Sequence, residues 1–256
     1  MNVPAKSSHP DVLRMKDRWN ERASADAFHY VETTYWDGDQ DKFFRMGEER
    51  AHVLVDPVLT RLPRAAEATA VEIGCGLGRF SRALATRFGR VIGIDVSDEM
   101  IRQAQELHPR DRFQNLSFLT SDGVSCANVP DASADFVFSY EVIQHMPSYD
   151  VIASTMRDVR RVLKPTGFGL LHVHTGPAPP LLSRHRIGSY IPGWLRRIVG
   201  LDPLAGDATF RGTRPLTPDH IASLCQQAGL KLAETRVDPT HDSGSRVFLV
   251  VEPLHT

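Results

Sequence analysis

The sequence is poor in cysteine and has no long apolar run. Its 256 residues contain three cysteines, and no two of them form a CxxC pair. An odd number of scattered cysteines argues against a disulfide framework and a cysteine-based zinc site, so we expect no metal and a reducing, cytoplasmic location. The N-terminus lacks a signal-peptide core, and no run approaches the roughly 18 apolar residues of a spanning helix. These absences predict a soluble protein.

An excess of charge of one sign is also missing. Lysine and arginine number 30, aspartate and glutamate number 31, and the formal net charge is −1. Nucleic-acid binders usually carry a basic excess, because neutralisation of phosphate supplies their baseline affinity. We therefore do not expect a nucleic-acid partner, although a local basic patch is still open.

What the sequence does contain, from Thr69 onwards, is an alternation of short apolar runs and helical patterns. This alternation is typical of βαβ units around a parallel sheet. Strands are predicted near residues 70–73, 91–94, 116–119, 134–139, 167–172, 231–237 and 246–251. Helices are predicted near residues 78–88, 98–107 and 150–163, with a further one between Thr217 and Gly229. The last two strands should be antiparallel, because the loop between them is shorter than the dozen or so residues of a parallel crossover.

Two segments lie outside this alternation. Residues 1–66 have helical spacing of apolar residues, broken near residues 37–39, and predict a helical lid over the domain of residues 67–256. Residues 176–215 are rich in proline and glycine, and they form too long a connection for a compact domain, so they predict an insert after the fifth strand. Arginines in the insert leave three readings open: a cap over an anionic or sugar acceptor, a surface that rests on membrane lipid, or a solvated loop.

The strongest local signal is a glycine-rich turn at residues 71–80, between the first strand and the next helix. Glycines there allow a sharp turn and a close approach to a ligand, and the helix start offers free N–H groups. Gly74, Gly76 and Gly78 are spaced G-x-G-x-G, whereas a dinucleotide fingerprint is G-x-G-x-x-G. The Gly-Lys-Ser/Thr ending of a phosphate-binding P-loop is absent. The spacing favours a nucleotide-like ligand of another kind.

This stretch resembles the first motif of class I S-adenosylmethionine (SAM)-dependent methyltransferases, in which an acid is followed by x-G-x-G-x-G. The resemblance extends from about Thr69 to Val251, apart from the insert. It implies an α/β fold with a Rossmann-like, mostly parallel seven-stranded sheet and an antiparallel last strand. It also implies SAM as the methyl donor and S-adenosylhomocysteine as the product.

The resemblance assigns donor contacts to particular residues. Glu72 matches the acid near the amino-acid end of SAM, and Asp95 matches the acid that binds the ribose hydroxyls, although a helix cap is its alternative reading. Met100 and Asp122 match positions near adenine, where a core methionine and a turn are the alternatives. The implied donor-binding residues are Glu72, Gly74, Cys75, Gly76, Gly78, Asp95, Val96, Met100, Asp122, Gly123 and Tyr140.

Acceptor and catalytic residues are predicted at the rim of the sheet and in the added segments. His145 matches a histidine common in small-molecule members of the family, where it is a base in some and structural in others. His174, at the end of the fifth strand, is a weaker candidate base. The predicted acceptor contacts are Tyr30, Trp36, Gln144, His174 and Arg211.

The expected reaction is methyl transfer to an oxygen or nitrogen of a small molecule, glycan or glycolipid. The Asn-Pro-Pro-Tyr tetrapeptide of related enzymes that methylate amino groups of bases is absent. The alternatives are an RNA or protein methyltransferase that uses the basic insert, and a SAM-binding protein without turnover. Peripheral membrane contact and the oligomeric state stay open.

Overall fold

A computed structural model describes residues 10–126, 128–176, 215–241 and 244–254 of the chain. Its centre is a seven-stranded sheet with the order β3-β2-β1-β4-β5-β7-β6. The strands are β1 Thr69–Ile73, β2 Arg90–Asp95, β3 Leu116–Thr120, β4 Ala134–Ser139, β5 Leu163–His174, β6 Leu230–Val237 and β7 Arg246–Pro253. All neighbours pair in parallel except β7, which is antiparallel to both β5 and β6. The predicted α/β fold class, with an antiparallel last strand, is confirmed.

Helices cover both faces of the sheet. They are α1 Pro10–Val31, α2 Gln40–Leu54, α3 Arg79–Ala85, α4 Asp98–Leu107, α5 Tyr149–Val162 and α6 Pro218–Ala228. One apolar cluster joins α5 and α6 to one face of the sheet, and a second joins α2 and α3 to the other. Adjacent residues of β4 illustrate the division, since Val137 belongs to the first cluster and Phe138 to the second, both fully buried.

Local chemistry explains where several helices begin and end. Asp39 caps α2 by accepting a hydrogen bond from the Lys42 amide, so the predicted break near residues 37–39 separates two helices. Thr217 caps α6, and Gly229 ends it in a left-handed conformation, as the sequence predicts.

The junction between α5 and β5 differs from the prediction. The helix ends at Val162 rather than at residue 163, and the strand begins at Leu163 rather than at residue 167. A proline disfavours helical geometry in the residue before it, so Pro165 favours an extended Lys164 and an earlier start of the strand. No helix among the described residues is long and apolar enough to cross a membrane.

Helix α1 lies against the carboxyl ends of the first strands. Its backbone is non-helical at Asp26, whose side chain accepts a hydrogen bond from the His29 amide. Asn20 accepts hydrogen bonds from the Ser97 hydroxyl and the Glu99 amide, which ties α1 to the start of α4. The predicted helical character of this segment is confirmed, and its role as a lid stays a prediction.

Candidate active site

A large cavity opens at the carboxyl ends of β1, β2, β4 and β5. Its volume is about 1360 Å³, whereas a pocket for one ligand typically measures about 300–1,000 Å³. Open α/β sheets bind ligands at this edge. Among the predicted donor residues, those that line the cavity are Glu72, Gly74, Cys75, Gly76, Asp95, Val96, Met100, Gly123 and Tyr140. The cavity has room for a donor and an acceptor side by side.

The glycine-rich turn forms the floor of the donor half. The amides of Gly74 and Cys75 donate hydrogen bonds to the Ile94 carbonyl, at 2.8 and 3.0 Å, which fixes the turn against the end of β2. Gly74 and Gly76 have φ angles of +72° and +51°, a region that other residues enter at a cost. A side chain at Gly74 would also collide with Val142, so glycine is required there by the protein itself.

Asp95, at the end of β2, is held by two backbone amides. One carboxylate oxygen accepts a hydrogen bond from Gly76 and the other from Ser97, both at 2.9 Å. Ser97 itself caps α4, so the structure gives the capping role to the serine. Burial raises the pKa of Asp95 above its usual value. A carboxylate has about four acceptor sites, so about two remain for ligand hydroxyls.

Glu72, near the end of β1, also lines the cavity. Its side chain accepts a hydrogen bond from the Ser81 hydroxyl and is almost fully buried. Burial, with a contribution from the charge of Asp95, raises the pKa of Glu72 to about 8. Glu72 is therefore mostly protonated at neutral pH, and a cation such as an ammonium group would favour its ionised form.

Three residues of the sequence prediction do not line the cavity, although they belong to the described part of the chain. Gly78 caps α3 with a left-handed φ of +79°. Asp122 accepts hydrogen bonds from the amides of Val124 and Ser125, at 3.0 and 2.7 Å, so its carboxylate shapes the turn, the alternative weighed from the sequence.

Trp36 is the third of these residues. Its ring stacks on Phe28 with centroids 4.7 Å apart, and its indole nitrogen donates a hydrogen bond to Asp26. The ring is held inside the N-terminal segment rather than at the acceptor. Arg211 lies outside the described residues.

The end of α1 contacts the glycine-rich turn. Val31 of α1 sits directly over Gly76, where even one added carbon would come within 2.9 Å of it. Just beyond α1, Glu32 forms ion pairs with Arg79 of α3 and Arg50 of α2. The Glu32 and Arg79 side chains are each only 6% exposed, so this pair fixes the N-terminal segment to the helix that follows the glycine-rich turn. Sequence reasoning missed this pair.

The acceptor half follows β4. Tyr140, Gln144 and His145 all line it, as does Tyr30 from α1. The Tyr140 hydroxyl lies 3.2 Å from the Thr240 hydroxyl, and burial raises the pKa of Tyr140 to about 12. The His145 ring packs edge-on against Trp19, with centroids 5.5 Å apart. Tyr140 was predicted as a donor contact and the others as acceptor or catalytic residues, and these roles stay predictions.

A charged cluster around Glu141 extends this half. Arg246 donates a hydrogen bond to Glu141 at 2.9 Å, and His174 lies 3.6 Å from its other oxygen. Burial opposes ionisation of Glu141, but His174, His172 and Arg246 outweigh it and lower its pKa to about 2. Glu141 has a φ of +58°, which is uncommon outside glycine and is typical of functional sites.

Sequence reasoning did not identify Glu141 or Arg246. Glu141 follows Tyr140 directly and could have been found as an acid at the end of a strand. Arg246 reaches it because β7 pairs with β5, opposite His174, and this pairing is not visible in the sequence.

Comparison with known proteins gives a consistent picture. A family model described as "Methyltransferase domain" matches residues 71–171. A trans-aconitate 2-methyltransferase from Azoarcus is 30% identical over 173 residues, which is 66% of this chain and 62% of the relative. A 2-methyl-6-phytyl-1,4-hydroquinone methyltransferase from Synechocystis is 38% identical over 100 residues, 39% of this chain and 30% of the relative. The chain thus spans less than two thirds of either relative.

Solved structures agree on the fold. A magnesium protoporphyrin IX methyltransferase from Synechocystis, determined with bound S-adenosylhomocysteine, superimposes with a TM-score of 0.62. The superposition covers 95% of this chain and 99% of the methyltransferase chain, at 20% sequence identity. The likeness therefore concerns the fold alone.

Proposed function

We propose that this chain, whose residues 71–171 match a methyltransferase family model, is a class I SAM-dependent methyltransferase that transfers the methyl group of SAM to an oxygen or nitrogen of a small molecule. The observation that carries this proposal is that the glycine-rich turn and the polar residues after β4 line the same cavity, whose volume is about 1360 Å³. A donor in the first half and an acceptor in the second would face each other. Glycan and glycolipid acceptors stay predictions.

The polar groups of the donor half match those of SAM. When bound, SAM supplies a methyl group on a positively charged sulfur. Asp95 retains acceptor sites for ribose hydroxyls, and Glu72 can become ionised beside an ammonium group. Met100, which lines the cavity and packs with Phe43 and Leu77, offers an apolar surface to adenine. Holding the two reactants in line can lower the barrier by about 7–11 kcal/mol.

His145 is the proposed base for a hydroxyl acceptor. It lines the same cavity as Glu72 and Gly74, and histidine in general titrates near neutral pH. Its ring would take the acceptor proton as the acceptor oxygen bonds to the methyl carbon. Trp19 packs against the ring and holds it at the cavity wall.

The printed names of the relatives suggest the first acceptors to test. They include trans-aconitate, a carboxylic acid, 2-methyl-6-phytyl-1,4-hydroquinone, a phenol, and phosphoethanolamine, an amine. The full chain is incubated with methyl-labelled SAM and each compound, and in parallel with the small-molecule, RNA and protein fractions of a cell extract. We expect label in a small molecule, and much less label with the Asp95→Ala variant at the same SAM concentration. Label only in RNA or protein would refute the acceptor class, and no transfer to any pool would refute turnover.

A further inference from the structure

Three side chains with metal-binding atoms converge at the acceptor end of the cavity. Glu141, His172 and His174 each present one oxygen or nitrogen, and these atoms lie within 4.8 Å of one another. Glu141 follows β4, and the histidines occupy alternate positions at the end of the adjacent parallel strand β5. Imidazole and carboxylate together suit divalent first-row transition metals better than Mg²⁺ or Ca²⁺, which prefer oxygen ligands.

The two histidines have nitrogens without a hydrogen-bond partner among the described residues. His172 is fully buried, and its Nδ1 has no hydrogen-bond partner there; its Nε2 lies 3.3 Å from Asp238 Oδ2, and His174 Nε2 lies 3.6 Å from a Glu141 oxygen without a well-formed hydrogen bond. A buried polar atom without a partner costs about 1–3 kcal/mol, so native proteins rarely leave several together. A ligand bound at His172 Nδ1 and His174 Nε2 would give these two nitrogens a partner.

The distances from Glu141 to the two histidines are longer than those of a hydrogen bond. His172 Nδ1 lies 3.8 Å from one Glu141 oxygen, and His174 Nε2 lies 3.6 Å from the other. A proton held between imidazole and carboxylate would draw them to about 2.7–3.2 Å. Ligands around a tetrahedral ion with bonds near 2.1 Å are separated by about 3.4 Å. The spacing is closer to that of ligands around one ion.

Neighbouring groups support the ligands and limit the alternatives. Asp238 Oδ2 lies 3.3 Å from His172 Nε2, on the far side of the ring, and metal-bound histidines usually have a carboxylate in that place. Arg246 and Gln144 contact the Glu141 carboxylate, which leaves about two of its four acceptor sites. His241 is engaged by Arg246 at 2.6 Å and is therefore not a ligand.

Arg246 does not neutralise the cluster. Arg246 pairs with Glu141, whereas the ion pairs of Asp238 among the described residues are with His172 and His241, so one negative charge is in excess when the histidines are neutral. An uncompensated charge in a buried place is costly, and a cation near the histidines would balance it.

We propose that Glu141, His172 and His174 bind one divalent transition-metal ion of the Zn²⁺ type. Glu141 and His174 line the cavity, so the remaining coordination position faces the acceptor. Three protein ligands with one open position are typical of catalytic rather than structural metal sites.

The role of the ion in transfer rests on the proposed function. An acceptor hydroxyl bound to the ion would lose its proton more readily. The proton passes to His145, the oxygen lone pair forms the bond to the methyl carbon, and the carbon–sulfur bond breaks with its electron pair left on sulfur. Binding of the ion itself does not depend on this role.

The test uses the full chain after treatment with a chelator and dialysis. Zn²⁺ and Mg²⁺ are titrated separately by calorimetry, and Co²⁺ is added as a spectroscopic probe of coordination. The variants are Glu141→Gln and His174→Ala, both partly exposed and so less disruptive than a change at His172. His52→Ala is the control, because His52 is 78% exposed and lies beside Asp56, as an adventitious surface site would.

We expect one equivalent of Zn²⁺ to bind, with a visible Co²⁺ spectrum of low symmetry and no comparable Mg²⁺ binding. Glu141→Gln and His174→Ala should each weaken Zn²⁺ binding at least tenfold, His52→Ala should not, and Asp238→Asn should weaken it by about 10–100-fold. Absence of Zn²⁺ binding, binding that both ligand variants retain, or loss only in His52→Ala would overturn the proposal. A SAM titration of the same preparation separates this failure from a failure of the proposed function.

Discussion

Replacement of Asp95 by alanine tests whether this carboxylate binds the ribose hydroxyls of SAM. The carboxylate is positioned by the Gly76 and Ser97 amides, both at 2.9 Å, with acceptor sites left for the ribose hydroxyls. Hydrogen bonds to a charged group contribute about 1.5–3 kcal/mol, and about 1.4 kcal/mol corresponds to a tenfold change, so SAM binding should weaken by roughly ten- to a few hundredfold. Calorimetry with SAM and S-adenosylhomocysteine measures this loss.

The matched control for this variant is Asp98→Ala. Asp98 begins α4, three residues further on, and its side chain is 59% exposed in an ion pair with Lys16. The Asp98→Ala change removes one negative charge, as Asp95→Ala does, but at a residue that does not line the cavity. SAM affinity should therefore be unchanged. Melting temperatures of both variants separate a lost ligand contact from a loosened turn. Parental SAM affinity in a folded Asp95→Ala protein would refute the ribose assignment, and equal losses in both variants would attribute the effect to net charge.

Three further predictions concern stability and chemistry. Burial raises the pKa of Glu72 from 4.5 to about 8, so the folded protein retains a proton that the unfolded chain releases. The free energy of unfolding should therefore fall as the pH rises between these values, by up to about 1.4 kcal/mol per pH unit. A Glu72→Gln variant whose free energy of unfolding keeps the parental dependence on pH would contradict this. Glu32→Ala leaves Arg79 buried without its partner and should lower the free energy of unfolding by about 3–5 kcal/mol. Glu67→Ala, which breaks the exposed pair with Arg64, should lower it by at most about 1 kcal/mol. Equal losses of the two variants on urea unfolding would argue against the buried pair. His145→Ala should lower turnover of a hydroxyl acceptor by about 10²–10⁴-fold at unchanged SAM affinity, and full turnover in the folded variant would exclude a base at this position.

The sheet could be predicted from the sequence because its signals are local. Most strands are short apolar runs, and the capping residues Ser97, Thr217 and Gly229 act within a few residues of themselves. The glycine-rich turn and Asp95 could be predicted for the same reason. A strand and the turn that follows it are adjacent in the chain, so their positions at the sheet edge follow from topology.

The acceptor cluster could not be predicted, because its members come from distant parts of the chain. Arg246 reaches Glu141 only because β7 inserts between β5 and β6, and the sequence predicted an antiparallel last pair but not this order. Asp122 and Trp36 were predicted as ligand contacts from position alone, yet their side chains bond within their own loop and segment. Patterns give the place of a residue but not the direction of its side chain.

Calorimetric titration of the full chain with SAM, and separately with NADH, tests the central claim most directly. The account predicts one SAM site of low micromolar affinity or tighter, binding of S-adenosylhomocysteine at the same site, and no binding of NADH, because the glycine spacing and Asp95 suit the methyl donor. Binding of NADH without any binding of SAM would contradict it.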